Sequence, residues 1–347
     1  MTRFALPSDL EPITYANAIR ISIGHSMEVN PKIVVYGLGV DDPTAMYGTT
    51  KDYPEIFGAN RCFDTPLSED SMTGLGIGLS INGFRPIHVH QRSDFLLLCA
   101  NQLINIAAKI KYVSNGRMSA PLIVRAIVGR SWGQGCQHSQ SFHSLFANIP
   151  GIRVFAPATS QDVFNVYANL LKSDYPAVIF EHRMLYNLSS RINMTDAMPN
   201  VTCVSDGDDI TICSVSHMTY EAQRASEYLN SRGYSCAHYS IVDITKTDIC
   251  EILGSSMKTN RLVIIDHGWL NCSLAHTIGY KLYEQGFRGR SKCLGYKDSP
   301  CPTSRVLEDV FYPDAQLIAN ECLAMLGVQP VVSIDKSQLI TSFKGPF

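Results

Sequence analysis

Charge is scarce in this chain. Only 17% of its 347 residues are Asp, Glu, Lys or Arg, while 45% are hydrophobic. A composition this apolar buries surface readily and leaves no case for disorder. A globular surface normally carries more charge, so part of this one is expected to be covered by partner subunits. Basic runs are missing and the net charge is −2, which argues against a nucleic-acid partner. No apolar run reaches the length of a membrane span, so no membrane partner is expected. The opening Met1-Thr2-Arg3-Phe4-Ala5-Leu6-Pro7 lacks the apolar core of a signal peptide. No two of the eleven cysteines stand as C-x-x-C, their number is odd, and Cys99, Cys213 and Cys322 lie inside apolar runs. That pattern fits reduced, buried thiols in a cytoplasmic protein better than a disulfide framework or a zinc site.

The length exceeds what one core usually serves, so two domains are expected. Apolar spacing predicts a helix over 13–29 with Thr14 as its cap, then a buried strand at Ile33-Val34-Val35-Tyr36. Short strands follow at Arg61–Asp64, Pro86–His90, Pro121–Ala126, Ile152–Phe155 and Ala177–Phe180, with helices over Glu69–Ile81, Phe95–Ile110 and Gln161–Leu171 between them. Residues 186–206 are polar and read as a linker. Strands at Ile210–Val215, Ala237–Val242 and Leu262–Asp266 then alternate with helices, the last from Pro313 to Leu326. Such alternation predicts an α/β protein of two parallel-sheet domains, residues 1–190 and 206–347, joined by a linker at 191–205.

Two stretches carry chemistry. In Phe63-Asp64-Thr65-Pro66-Leu67-Ser68-Glu69, Pro66 pre-sets a turn, Ser68 is a plausible N-cap, and Glu69 heads a helix. An acid there also suits the helix dipole, worth about 0.3–1 kcal/mol, so Glu69 has an ordinary structural reading as well. Gly74, Gly76 and Gly78 are spaced G-x-G-x-G, which is no dinucleotide fingerprint and reads as close helix packing. The second stretch, Gln137-His138-Ser139-Gln140, follows a flexible loop from Gly129 to Gly135. The two stretches are expected to meet in space.

The run of segments resembles the β subunits of thiamine diphosphate-dependent 2-oxo acid dehydrogenase E1 components, of the pyruvate and branched-chain type. The segments that carry the resemblance are Phe63–Glu69, Gly83-Phe84-Arg85-Pro86, Gln102–Lys109, Gln137–Ser141, Ile149-Pro150-Gly151 and Leu307-Glu308-Asp309. The resemblance spans nearly all of 12–328 and implies a transketolase-like pyrimidine-binding domain followed by a transketolase C-terminal-like domain. It also implies that Glu69 hydrogen-bonds N1′ of the cofactor's aminopyrimidine ring. A carboxyl there favours the imino tautomer that removes the thiazolium proton. Phe95 matches the aromatic residue packed on that ring, although it also opens an apolar helix. Gln91 stands at a variable cofactor-side position. His138 matches the active-site histidine that stabilises or protonates the substrate oxygen; the competing reading is a loop histidine with purely structural partners. Some relatives hold potassium on main-chain carbonyls, at positions matching Leu122, Leu170, Leu171, Ser173 and Tyr175.

The diphosphate half of such a site is absent. The family's G-D-G motif, which holds Mg²⁺, has no counterpart; Asp206-Gly207-Asp208-Asp209 reads as a turn before a strand. The missing half implies an α-type E1 partner holding the Mg²⁺, an α2β2 tetramer with β–β contact, and a lipoylated E2 acceptor. Three departures stand out. Gly37-Leu38-Gly39-Val40 lacks the usual acid, Val89 stands in a segment where relatives carry Glu, and Arg130-Ser131-Trp132 interrupts a glycine-rich loop. His90, Arg92, Arg130 and Trp132 are bulky, polar or cationic and fit an anionic or sugar-like substrate, or else contacts with the partner or each other. Three functions follow: an E1 β subunit, the β-type half of a transketolase-like or acyloin-forming enzyme, or a scaffold subunit without activity.

Overall fold

Runs of apolar residues buried along their whole length make strands covered on both faces, and such strands form the centres of two sheets in this chain. A computed structural model of the protein describes residues 3–6, 11–130, 133–193, 200–330 and 334. Contacts divide it into two units. One takes the chain up to Gly129 and resumes at Leu145; the other takes Arg130–Ser144 and the chain from Asn200 onward.

The first unit holds a six-stranded, all-parallel sheet. Its order is Cys62–Phe63, Ile33–Gly37, Arg85–His90, Ile123–Val128, Ala177–His182 and Arg153–Phe155. The helices Tyr15–Val29 and Ser160–Leu170 pack on each other. Thr14 caps the first by accepting from the Asn17 amide at 3.2 Å, as its sequence position predicts. Thr159 and Asp162 form a reciprocal capping box on the second, which satisfies two N-terminal amides at once. Gly37 ends its strand with φ +141°, and a Cβ there would lie 2.3 Å from the Val89 carbonyl oxygen. Only glycine allows that approach.

The second unit has a five-stranded sheet ordered Arg290–Tyr296, Arg261–Trp269, Ile210–Val215, Cys236–Ile241 and Val201–Ser205, with the last strand antiparallel. Met218, Ala222, Ala225 and Leu229 on one helix, and Ile318, Ala319, Cys322 and Leu323 on another, close one face over Ile210, Ile212, Val263 and Ile265. Their spacing of three and four residues is the stripe that sequence periodicity detects.

Several expectations need correction. Part of the polar stretch read as linker, Val201–Ser205, is the edge strand, and Ser189–Ser190 pairs with Ile13–Thr14. An edge strand is solvated on one side and needs no apolar run to declare it. The helix expected over Phe95–Ile110 is three pieces of different pitch: a 3₁₀ segment Ser93–Cys99, a π segment Gln102–Ala107 and a short α segment Ile110–Val113. The helix Glu69–Ile81 lies where expected, but Ser68 makes no side-chain capping bond. Of its three glycines only Gly76 meets a neighbour, with the Tyr36 hydroxyl 2.2 Å from a built Cβ; Gly74 and Gly78 face open space. Two residues turn a helix by about 200°, so alternate glycines cannot share a packed face. No helix among the described residues is long and apolar enough to cross a membrane.

Candidate functional site

Glu69 is the first residue of its helix, half-buried, at the helix's positive end. One turn on, buried Thr73 begins a polar chain. Its hydroxyl lies 3.2 Å from His88 Nδ1, His90 Nε2 is 3.2 Å from the same nitrogen, and Cys99 Sγ is 3.9 Å from His90 Nε2. Tyr36 stacks flat on His88, with ring centres 4.7 Å apart. Burial, and then His90, hold His88 well below its ordinary pKa; burial alone takes His90 to about 4. Both rings are therefore neutral at pH 7, and His88 Nδ1 can accept from Thr73 and from His90. Burial pushes the Cys99 thiol up to about 12, with Glu69 and Asp70 adding smaller charge effects in the same direction.

The sequence leaves His90 either fitting a substrate or meeting the partner or its neighbours. It is closed inside this chain of groups instead of facing a substrate, 4% exposed. His88 and His90, two apart, share one face of a strand buried on both sides, whereas Gln91 lies past the strand's end and is exposed. Phe95 is 37% exposed although Asp94 and Leu96 beside it are buried, so part of it remains accessible to a ligand. Glu69 and Phe95 therefore fit the aminopyrimidine end of thiamine diphosphate: a carboxylate to hold a ring nitrogen and an aromatic face to stack on.

Arg92 is half-buried and donates to the Tyr47 hydroxyl and to the Gln91 carbonyl, each at 2.8 Å. Behind it, Arg125 and Glu181 form a fully buried bidentate pair at 3.0 and 2.8 Å. Tyr167 and Tyr186 also donate to Glu181, and Arg125 donates to Thr49 at 3.1 Å, tying the Tyr47 loop to two neighbouring strands.

His138 belongs to the second unit, because Arg130–Ser144 packs there. Its segment is pinned at several points. Arg130 lies 4.1 Å over the Tyr312 ring, with Nη1 3.5 Å from His217 Nδ1. Burial first, then the Arg130 charge, keep His217 neutral. Gly133 and Gly135 take positive φ against Thr303, where a Cβ would be 3.0 Å from an oxygen in each case. Ser141 Oγ joins His143 Nδ1 at 2.9 Å and His267 Nε2 at 3.0 Å, and His143 Nε2 meets Asp266 Oδ1 at 2.7 Å. Ser144 Oγ accepts from the Leu274 amide at 3.0 Å. Burial favours protonation of Asp266, but His143 and His267 outweigh it and hold the carboxyl below its usual range. The donor atoms of His143, Asp266 and His267 lie within 4.8 Å of one another, near enough to hold a metal ion; the direct His143–Asp266 bond satisfies that pair without one. His138 is half-buried in the middle of this pinned segment. Ser131 and Trp132 lie outside the described residues, and the reading of Trp132 with them.

The Ser173 carbonyl, one of the five matched to a potassium site, accepts from the Arg85 guanidinium. The Leu170 carbonyl accepts from the Ser173 amide and hydroxyl, and that of Leu122 from the Ala177 amide. An ion held by Leu122, Leu170, Leu171, Ser173 and Tyr175 would share the Ser173 carbonyl with a guanidinium that already supplies positive charge. Asp206–Asp209 is a turn, as read: Gly207 is pressed on the backbone of Cys236, and Asp209 Oδ2 accepts from the Ser235 amide at 2.7 Å. It offers no cradle for a magnesium diphosphate. Sequence reading missed Arg183, Tyr47 and His143; the signal for Arg183 was its place just past the carboxyl end of a buried strand.

Family models match both halves of the chain: "Transketolase, pyrimidine binding domain" over residues 11–189 and "Transketolase, C-terminal domain" over 200–318. A chloroplastic pyruvate dehydrogenase E1 component subunit beta-4 from Oryza sativa subsp. japonica is 31% identical, over 90% of this chain and 80% of that one. The beta subunit of acetoin:2,6-dichlorophenolindophenol oxidoreductase from Cupriavidus necator is 30% identical, over 87% of this chain and 94% of that one. Among solved structures, a split-gene transketolase in an inactive β4 tetramer aligns with a TM-score of 0.72 and 17% identity, covering 92% of this chain and all of that one. That last likeness concerns the fold alone.

Proposed function

This chain belongs to the family of pyruvate dehydrogenase E1 β subunits, which join a transketolase pyrimidine-binding domain to a transketolase C-terminal domain, and from that membership we propose that it is the β subunit of a thiamine diphosphate-dependent 2-oxo acid dehydrogenase. The observation that carries this reading is the half-buried Glu69 carboxylate in the first turn of a helix, in the unit that also holds the partly exposed Phe95. When bound, thiamine diphosphate supplies the carbon nucleophile that takes up the substrate's carbonyl carbon. Glu69 would hold the proton at N1′ of the aminopyrimidine, Phe95 would pack on the ring, and Gln91 would stand on the cofactor side. His138 donates to, or accepts a proton from, the substrate oxygen. Its pinned segment sets the orientation of that imidazole in advance.

The holoenzyme decarboxylates a 2-oxo acid and passes the acyl group to a lipoyl acceptor. An α-type subunit supplies the diphosphate and Mg²⁺ site that this chain lacks, in an α2β2 assembly with β–β contact. Apolar groups left open on the single chain support such partners: Leu97, Leu98, Tyr112 and Val113 in one unit, and Val306, Leu307 and Val310 in the other. Potassium on the Ser173 set has no chemical role in this reading. Eleven free cysteines suit a reducing compartment, and the cytoplasm is the proposed one.

The test is Glu69→Gln in the complex reconstituted with its α-type partner. Turnover is expected to fall by about 10²-fold or more, the usual scale of a proton-transfer group. Unchanged turnover sinks the catalytic reading and leaves the scaffold. The second reading is the β-type half of a transketolase-like or acyloin-forming enzyme acting on an aldehyde or sugar; a relative named for the acyloin acetoin favours keeping it beside the first. Acylation of a lipoyl domain favours the dehydrogenase; condensation of pyruvate with an aldehyde, with lipoamide ignored, favours the alternative.

A further inference from the structure

Two arginines close on one tyrosine at the carboxyl edge of the six-stranded sheet. Tyr47 lies in the loop after the strand Ile33–Gly37, Arg92 follows Arg85–His90, and Arg183 follows Ala177–His182. Arg92 Nη1 donates to the Tyr47 hydroxyl at 2.8 Å, and the Arg183 guanidinium carbon sits 3.5 Å from the centre of the Tyr47 ring. Arg183 is only 4% exposed. Burial lowers its pKa to about 10; Tyr47 opposes that shift and the Arg92 charge adds to it. Two guanidinium groups this close repel each other, more so away from water.

The loop that carries Tyr47 is strained and fixed. Ala45, Met46 and Tyr47 all have positive φ, at 47°, 44° and 59°. Non-glycine residues are held there only at a steric cost, and such strain gathers at ligand sites. The Met46 amide donates to the Gly39 carbonyl at 3.2 Å, the Thr49 hydroxyl donates to the Met46 carbonyl at 2.8 Å, and Thr49 in turn accepts from buried Arg125. The fold therefore spends strain and charge repulsion to present two planar cations at the edge where parallel sheets take ligands. Planar forks of N–H donors match phosphate and carboxylate oxygens.

We propose that Arg92 and Arg183, held around Tyr47, form an oxyanion-binding subsite that accepts a phosphate or a further carboxylate carried by the substrate. This deepens the proposed function, because it gives the substrate an anionic group beyond what pyruvate or acetoin offers. It also separates Arg92 from His90, which is closed in the core, and from Arg130, which is engaged by Tyr312.

Isothermal titration of the full chain with inorganic phosphate, and separately with succinate, tests the subsite without cofactor or turnover. It therefore stands or falls apart from the Glu69 experiment. Arg183→Gln and Arg92→Gln are each expected to weaken binding at least tenfold. Arg183→Lys, which keeps the charge and loses the fork, is expected to fall between. Arg288→Gln is the control, since Arg288 also lies over a tyrosine, 3.9 Å from the Tyr283 ring centre, but on an exposed surface. Near-ultraviolet circular dichroism checks that each variant is folded; Arg92, being half-buried, carries the test if Arg183→Gln is not. Binding of phosphate identifies a phosphate-bearing substrate, and binding of succinate alone a carboxylate-bearing one. No binding of either anion to the wild type, or equal weakening by Arg288→Gln, overturns the proposal.

Discussion

Replacing Glu181 by Gln removes the counter-charge at the centre of the first unit. The carboxylate accepts four hydrogen bonds: from Arg125 Nε at 3.0 Å, Arg125 Nη2 at 2.8 Å, the Tyr186 hydroxyl at 2.9 Å and the Tyr167 hydroxyl. Arg125 and Glu181 have no exposed side-chain surface. An amide keeps one acceptor oxygen and turns an NH₂ toward groups that were donating. A tyrosine hydroxyl can rotate and accept; an arginine nitrogen cannot. The variant thus carries a buried guanidinium without its charge partner, a loss of about 3–5 kcal/mol. A domain has about 5–15 kcal/mol in total, so the change is a large share of it. With a slope near 3 kcal/mol per M, the urea midpoint of the first unit is expected to drop by about 1–2 M. Combining Glu181→Gln with Arg125→Met removes charge and partner together, so the double variant should lose about 1–3 kcal/mol less than the sum of the singles. A single variant within about 1 kcal/mol of wild type, or strictly additive singles, would refute the reasoning. Because Arg125 also holds Thr49, the single variant should weaken phosphate binding at Tyr47 as well.

Acid should destabilise the first unit through His90. Its folded pKa of about 4 lies below the ordinary 6.5, so the unfolded chain binds the extra proton first. The stability of the neutral buried ring is complete above about pH 6.5 and is lost as pH falls toward 4, by about 3 kcal/mol at 1.36 kcal/mol per unit. Urea midpoints across that range should show the slope, and His90→Asn should flatten it; an unchanged slope would exclude His90 as the source. Gly37→Ala should not fold normally, because its Cβ falls 2.3 Å from a strand carbonyl at φ +141°. Soluble expression with a wild-type urea midpoint would show that the two strands part at little cost.

The arrangement of strands and helices was open to reading from the chain alone wherever burial is two-sided. Ile210–Val215 and Glu69–Ile81 fall where the sequence places a strand and a helix. Val201–Ser205 did not, because an edge strand keeps one side in water and its polar residues look like a loop. The pieces of different pitch between Ser93 and Val113 were equally hidden, since apolar spacing of three or four residues fits each pitch. Glu69, Phe95 and His138 stand out in the sequence through the segments that resemble the family's, and the roles proposed for them rest on that resemblance. Which polar residues are exposed was not legible. His90 and Arg92 are two positions apart in sequence, yet one is sealed against His88 and the other reaches Tyr47. Arg183 gains its meaning only from Tyr47, distant in sequence, because sheet order brings three strand ends together. Local sequence determines what a residue can do chemically and which elements it forms. Which other residues it meets, and whether water reaches it, depends on contacts between elements remote in the chain, and those only the tertiary structure decided.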